Sequence, residues 1–161
     1  MKELGYDPLP GYREPPESPL STPGLAEQYP LILITGARHQ PFYHSEFREI
    51  SSLRRLRPDP LVEIHPYTAR EADSPIDEGD WVWIETLRGR VKMRARLTTI
   101  VHPKMVSADH CWWFPEKDGQ EPSLFGLWES NINVVTDDNP DICGPEFGDY
   151  PLMCLCKVYK V

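Results

Sequence analysis

The stretch Tyr29–Ile50, YPLILITGARHQPFYHSEFREI, sets the reading of the whole chain. Its first half, Leu31-Ile32-Leu33-Ile34, is an uninterrupted apolar run that stops at Thr35-Gly36-Ala37-Arg38. Such a run predicts a buried strand ending in a tight turn. That turn has the parts of an anion cradle. Gly36 permits close backbone approach, Thr35 offers a hydroxyl and Arg38 a planar cation suited to phosphate. Tyr43, His44 and Ser45 follow closely enough to line the same pocket. A lone T-G-x-R is also a common way to leave a strand, so its weight depends on the company it keeps.

At 161 residues the chain is large enough for one hydrophobic core without metal or disulfide staples. A net charge of -8 and a pI near 5.1 argue against general nucleic-acid binding, which needs a basic surface. A polyanion can still bind locally, because between Ala37 and Arg57 five arginines face two glutamates. No apolar stretch approaches bilayer length and no secretory pattern opens the chain, so a soluble protein is expected. Cys111, Cys143, Cys154 and Cys156 lack paired C-x-x-C spacing, which argues against a zinc or iron-sulfur site. Cys154 and Cys156 fall in an apolar alternation and read as core thiols.

Residues 1–28 hold six prolines and no helical or strand period, and are expected to form an extended linker arm ahead of a domain at 29–161. Met1 opening on such a connector is expected of a piece of a longer chain; a small protein with a loose arm is the alternative. Phe47, Ile50, Leu53 and Leu56 recur at helical spacing, predicting a helix over 45–57 closed by Pro58 and Pro60. Leu61–Ile64 predicts a strand and Pro66 a helical turn or two. Trp81–Thr86 predicts an aromatic-rich strand. From Val91 to Val101 the alternation predicts a half-buried strand whose Lys92, Arg94 and Arg96 form a solvated face rather than a nucleic-acid stripe. Val106–Trp113 predicts a further strand, 115–126 a loop, and Glu129–Thr136 a strand-like run. In that run Asn131 and Asn133 are suited either to reading a ligand edge or simply to turning the chain. Leu152–Val158 predicts a C-terminal core strand.

Six or seven strands, short helical insertions, no βαβ alternation and no internal repeat predict a mainly β fold: a closed barrel with helices over its openings. No G-x-G-x-x-G or P-loop signature is present.

The order T-G-x-R, Y-H-S, D-P-x-V-E-I-x-P-x-x-A, G-D-W-V-x-I-x-T-x-x-G-x-V, C-W-W, N-x-N-V-V-T and P-E-F-G resembles the C-terminal cofactor-binding domain of dimethyl-sulfoxide-reductase-type molybdopterin oxidoreductases. It spans about Tyr29 to Val161 and looks most like the branch of formate dehydrogenase, thiosulfate or polysulfide reductase and acetylene hydratase catalytic subunits. The resemblance implies a double-psi β-barrel, the aspartate decarboxylase-like fold, gripping molybdopterin guanine dinucleotide with molybdenum or tungsten held through the pterin. It implies that Thr35, Gly36, Ala37 and Arg38 meet the pterin and pyrophosphate and that Tyr43, His44 and Ser45 continue that wall. Trp112 and Trp113 would stand near the pocket, Asn133 and more weakly Asn131 would face the cofactor, and Phe147 and Gly148 would close over it. No catalytic residue and no metal ligand is expected here. Those groups, and any iron-sulfur cluster, would lie in other domains of a cytoplasmic or periplasmic bacterial or archaeal enzyme, with iron-sulfur electron-transfer subunits as further partners.

Two other readings compete. The self-cleaving decarboxylases of the same barrel need Gly-Ser, and no glycine here precedes serine. An interaction module without cofactor would leave Arg38, His44, Asn131 and Asn133 facing separate directions.

Overall fold

The computed structural model describes residues 9, 12, 14–35, 40–137, 139 and 153–161. The expectations for Gly36, Ala37, Arg38, Phe147 and Gly148 lie outside the described residues.

Among the described residues six strands close into a barrel: β1 (Leu31–Ile34), β2 (Leu61–Ile64), β3 (Trp81–Thr86), β4 (Gly89–Leu97), β5 (Met105–Ala108) and β6 (Met153–Lys160). Their order around the barrel is β1-β5-β2-β4-β3-β6, so each of them has a neighbour on both sides. Two parallel pairs, β1 with β5 and β2 with β4, are nested in sequence and joined by the antiparallel β2–β5 pairing. This is a double-psi β-barrel, mainly strand with short helices, as the sequence led us to expect.

Alternating side chains fill the barrel. Val82 and Ile84 from β3, Val91 and Met93 from β4, and Val62 and Ile64 from β2 are all fully buried. Burying each such side chain contributes roughly 1.5–3 kcal/mol. On the outer face Lys92 pairs with Glu129, Arg94 with Asp59 and Arg96 with Glu63, at 3.4, 3.3 and 3.6 Å. Arg94 also stacks on Trp81.

The parallel pairing of β1 and β5, with Ile34 beside Ser107, makes both strands run out at the same end of the barrel. β2 is antiparallel to β5, so the residues leading into it arrive at that end too. Helix α1 (Pro23–Gln28) precedes β1, α2 (Ser51–Arg54) lies between β1 and β2, and α3 (Pro66–Glu71) follows β2. A 3-10 turn at Leu124–Gly126 leads into α4 (Leu127–Ser130), and a second 3-10 turn follows at Ile132–Val134. Ile132 and Val135 are fully buried in the barrel core, and the Thr86 hydroxyl donates to the Val135 carbonyl at 2.8 Å.

Four sequence expectations change. The arm is not extended throughout: Pro23 stands at the start of α1, where its fixed φ favours a helix. Of the helix expected over 45–57 only Ser51–Arg54 forms, because His44 (φ 49) and Phe47 (φ 69) take left-handed backbone that breaks the helical ladder. Phe47, Ile50 and Leu56 are exposed, and only Leu53 of that set packs on the Phe42–Trp112–Phe114 cluster. The strand from Val106 stops at Ala108, where the Asp109 carboxylate accepts from the Leu61 N–H at 3.0 Å. The run at 129–136 is helical: the Asn131 side chain accepts from the Asn133 N–H at 3.1 Å and caps a 3-10 turn, outweighing the strand preference of its β-branched neighbours.

Candidate cofactor-binding site

Three segments meet at the barrel end where β1 and β5 run out. The first begins at Thr35, 7% exposed at the close of β1, and resumes through Tyr43, His44 and Ser45. The second is 109–114, which leaves β5. The third is the capped turn at Asn131–Asn133.

Side chains and carbonyls tie them together. His44 Nδ1 lies 3.0 Å from His110 Nε2, so one imidazole donates and the other accepts. Tyr43 packs edge-on against His44, with ring centroids 4.8 Å apart. The Trp113 indole N–H donates to the Ser45 carbonyl at 2.6 Å. The Asn131 amide donates to the Trp112 carbonyl at 3.0 Å. Asn133 reaches the Cys111 thiol with its side chain, which opposes the upward shift that burial imposes on that thiol.

The residues divide into those that face outward and those that support them. Tyr43, Ser45 and Asn133 are exposed, and His44 and Trp113 are half-buried. Trp112 is 1% exposed and forms edge-on aromatic contacts with Phe42 and Phe114, so its ring belongs to the packing behind the site. Asn131, 8% exposed, is committed to the Trp112 carbonyl and to its cap. Arg48, His110 and Cys111 were not anticipated. They meet the site through contacts spanning more than sixty residues, invisible to local spacing. The C-W-W tripeptide was the nearest signal, and it drew attention to the tryptophans.

The donors suit a flat heterocycle with many polar edge atoms: a phenol, a hydroxyl, imidazoles and an amide on one surface. Two buried donors, Trp112 Nε1 and Arg48 Nε, have no partner among the described residues. Behind the surface, Phe42, His44, Arg48 and Trp112 help enclose a void of ≈ 10 Å³, the scale of one water, with no room for a larger group. A wider groove of ≈ 600 Å³ is lined by Ser51, Arg54, Arg55 and Glu116 among others, and by none of the anticipated cofactor residues. Among the described residues no cluster of three His, Cys, Asp or Glu could hold a metal. No helix among them is long and apolar enough to cross a membrane.

The chain is a closed double-psi barrel with this polar surface at the mouth of its parallel strands, and its sequence places it among cofactor-binding domains. The chain belongs to the molydopterin dinucleotide binding domain family, whose model matches residues 31–148. Acetylene hydratase of Syntrophotalea acetylenica is 36% identical over 163 residues, covering 99% of this chain and 22% of that protein. Dopamine dehydroxylase of Eggerthella lenta is 44% identical over 130 residues, covering 80% of this chain and 12% of that protein. The solved structure of acetylene hydratase from Pelobacter acetylenicus matches with a TM-score of 0.87 at 36% identity, over 99% of this chain and 22% of that one. The chain thus spans less than a quarter of the length of these relatives.

Proposed function

We propose that the 43–45, 110–113 and 131–133 segments, with the Thr35–Arg38 loop, hold the guanine form of molybdopterin dinucleotide as part of a larger molybdenum or tungsten catalytic subunit. Binding of a molybdopterin dinucleotide is the property of the family; the guanine base, the metal and the residue roles are our reading. The observation behind it is the convergence of the three loops. An interaction module would leave Arg38, His44, Asn131 and Asn133 facing apart; Arg38 lies outside the described residues, and the other three sit in one linked cluster.

In this reading Arg38 and the backbone of its loop neutralise the diphosphate, as a guanidinium and a row of N–H groups do. His44, Ser45 and Asn133 hydrogen-bond the polar edges of the bound rings, and Tyr43 and Trp113 flank them and exclude water. When bound, the cofactor supplies the metal centre at which the parent enzyme's reaction takes place. The chain holds and orients it and contributes no group to bond making. Hydratase and dehydroxylase relatives favour that side of the branch for the parent enzyme over formate dehydrogenase. Iron-sulfur electron-transfer subunits remain proposed partners on the strength of the resemblance alone.

Titrating guanosine diphosphate into the chain while following backbone amide shifts tests the reading. Shifts confined to 35–38, 43–45, 110–113 and 131–133 are expected. Shifts scattered over the outer face of β3 and β4, or none at all, would remove it. In the complete parent enzyme, Arg38→Ala is expected to release cofactor with little change in melting temperature.

A further inference from the structure

Arg48 is 2% exposed and stands behind the loops assigned above. Its Nη2 donates to three carbonyls: His44 at 3.0 Å, His110 at 3.3 Å and Cys111 at 3.0 Å. The guanidinium carbon lies over the rings of Phe42 and Trp112, 4.7 and 4.4 Å from their centroids, a pair of cation–π contacts.

Two of those carbonyls belong to residues in left-handed backbone, His44 at φ 49 and Cys111 at φ 54. For a residue with a Cβ that conformation costs roughly 1–2 kcal/mol, and it persists where its surroundings over-determine it. Here one cation draws both carbonyls to a single point. The side chains attached to those two residues reach different partners, His44 meeting His110 and Cys111 meeting Asn133. Holding the two backbones therefore sets the spacing of imidazole, amide and indole on the outward surface. Burial lowers the Arg48 pKa to about 10, so at neutral pH the charge that strengthens these bonds is present.

We propose that Arg48 is the positioning residue of the cofactor site, locking the 43–45 and 110–113 loops into the arrangement the dinucleotide meets, without touching it. The inference rests on the cofactor reading of those loops. A lysine in its place could reach one or two carbonyls but lacks the broad delocalised cation that meets both Phe42 and Trp112, and a methionine fills the volume with no donor.

The test compares Arg48→Met and Arg48→Lys with the parental chain by amide and indole hydrogen exchange and by guanosine diphosphate titration. In Arg48→Met the Trp113 indole and the hydrogen-bonded amides of Glu46 and Phe114 are expected to exchange about tenfold faster or more, while β3 and β4 keep their protection. Guanosine diphosphate affinity should fall about tenfold, with Arg48→Lys in between. Unchanged exchange in the loops of both variants overturns the proposal. So does an equal loss across β3 and β4, which would make Arg48 a general stability residue. Loosened loops with affinity within about twofold of the parent would also overturn it. If the parental chain ignores guanosine diphosphate, the guanine reading falls, and the exchange comparison still decides whether Arg48 holds the loops.

Discussion

Asp109 receives Arg57 in a two-pronged bond, with Arg57 Nε 3.0 Å from Oδ2 and Nη2 2.7 Å from Oδ1. The Leu61 N–H donates to the same Oδ2 at 3.0 Å. The pair is 3% and 9% exposed and sits where β5 ends and β2 begins, at the root of the 109–114 loop. An aspartate that opens a site loop is thus spoken for on the scaffold side.

Asp109→Asn keeps the shape and leaves Arg57 charged and uncompensated, so it should destabilise the chain by about 3 kcal/mol, read as a lower urea midpoint. The double variant Arg57→Met, Asp109→Leu should recover much of that loss, because breaking a buried pair costs more than replacing it with apolar volume.

Asn131 and Asn133 should separate under substitution. Asn131→Ala removes the bond to the Trp112 carbonyl and the cap on the Asn133 N–H, and should cost about 1–3 kcal/mol in thermal or urea unfolding. Asn133→Ala, at an exposed position, should stay within about 0.5 kcal/mol of the parent while weakening guanosine diphosphate binding. Equal effects on stability would show that the two amides share one role.

Burial pushes the Cys154 thiol up to about 12 and lifts Cys156 well above the ordinary 9.0. In the unfolded chain these thiols ionise near 9.0, so the folded state holds more protons as pH rises past that point. The Cys154 contribution is therefore fully present below pH 9.0 and is lost between there and about pH 12, by up to about 1.4 kcal/mol per pH unit, and Cys156 adds a loss in the same direction. Urea midpoints at rising alkaline pH should fall, and the Cys154→Ala, Cys156→Ala variant should show a flatter decline. At pH 8 a thiol reagent should leave both unmodified until the chain unfolds.

Gly126 holds φ +69, and a Cβ there would come within 2.8 Å of Lys117 Cδ and 2.9 Å of Phe114 Cδ2. Gly126→Ala should destabilise by roughly 1–3 kcal/mol, since the Phe114 ring is packed with Trp112 and cannot swing away. Gly24, in α1 with open space around it, supplies the control: Gly24→Ala should be neutral or gain a few tenths of a kcal/mol.

The strands were legible because period-two burial writes itself into sequence: Val91, Met93 and Ala95 point inward and Lys92, Arg94 and Arg96 outward along β4. Helical spacing misled at Phe47, Ile50 and Leu56, where left-handed backbone at His44 and Phe47 scatters residues that an unbroken helix would align. At Asn131 a side-chain cap decided between strand and turn, and composition does not announce which amide will cap. At the candidate site, residue type and motif order singled out Tyr43, His44, Ser45 and Asn133, which are exposed or half-buried on the proposed surface. They did not single out the supports. Arg48 acts on carbonyls, which every residue possesses, and His110 becomes visible only once β1 and β5 are known to lie side by side.

Among the described residues β6 is hydrogen-bonded to both β1 and β3, which precede it in the sequence. As the chain is synthesised, those two flanks stay open until Met153–Lys160 emerges from the ribosome. For that interval the nascent sheet presents two unpaired rows of N–H and C=O groups, a template for pairing with other chains. Shielding of the β1 and β3 flanks by a chaperone during this window would keep them from pairing with the wrong chain.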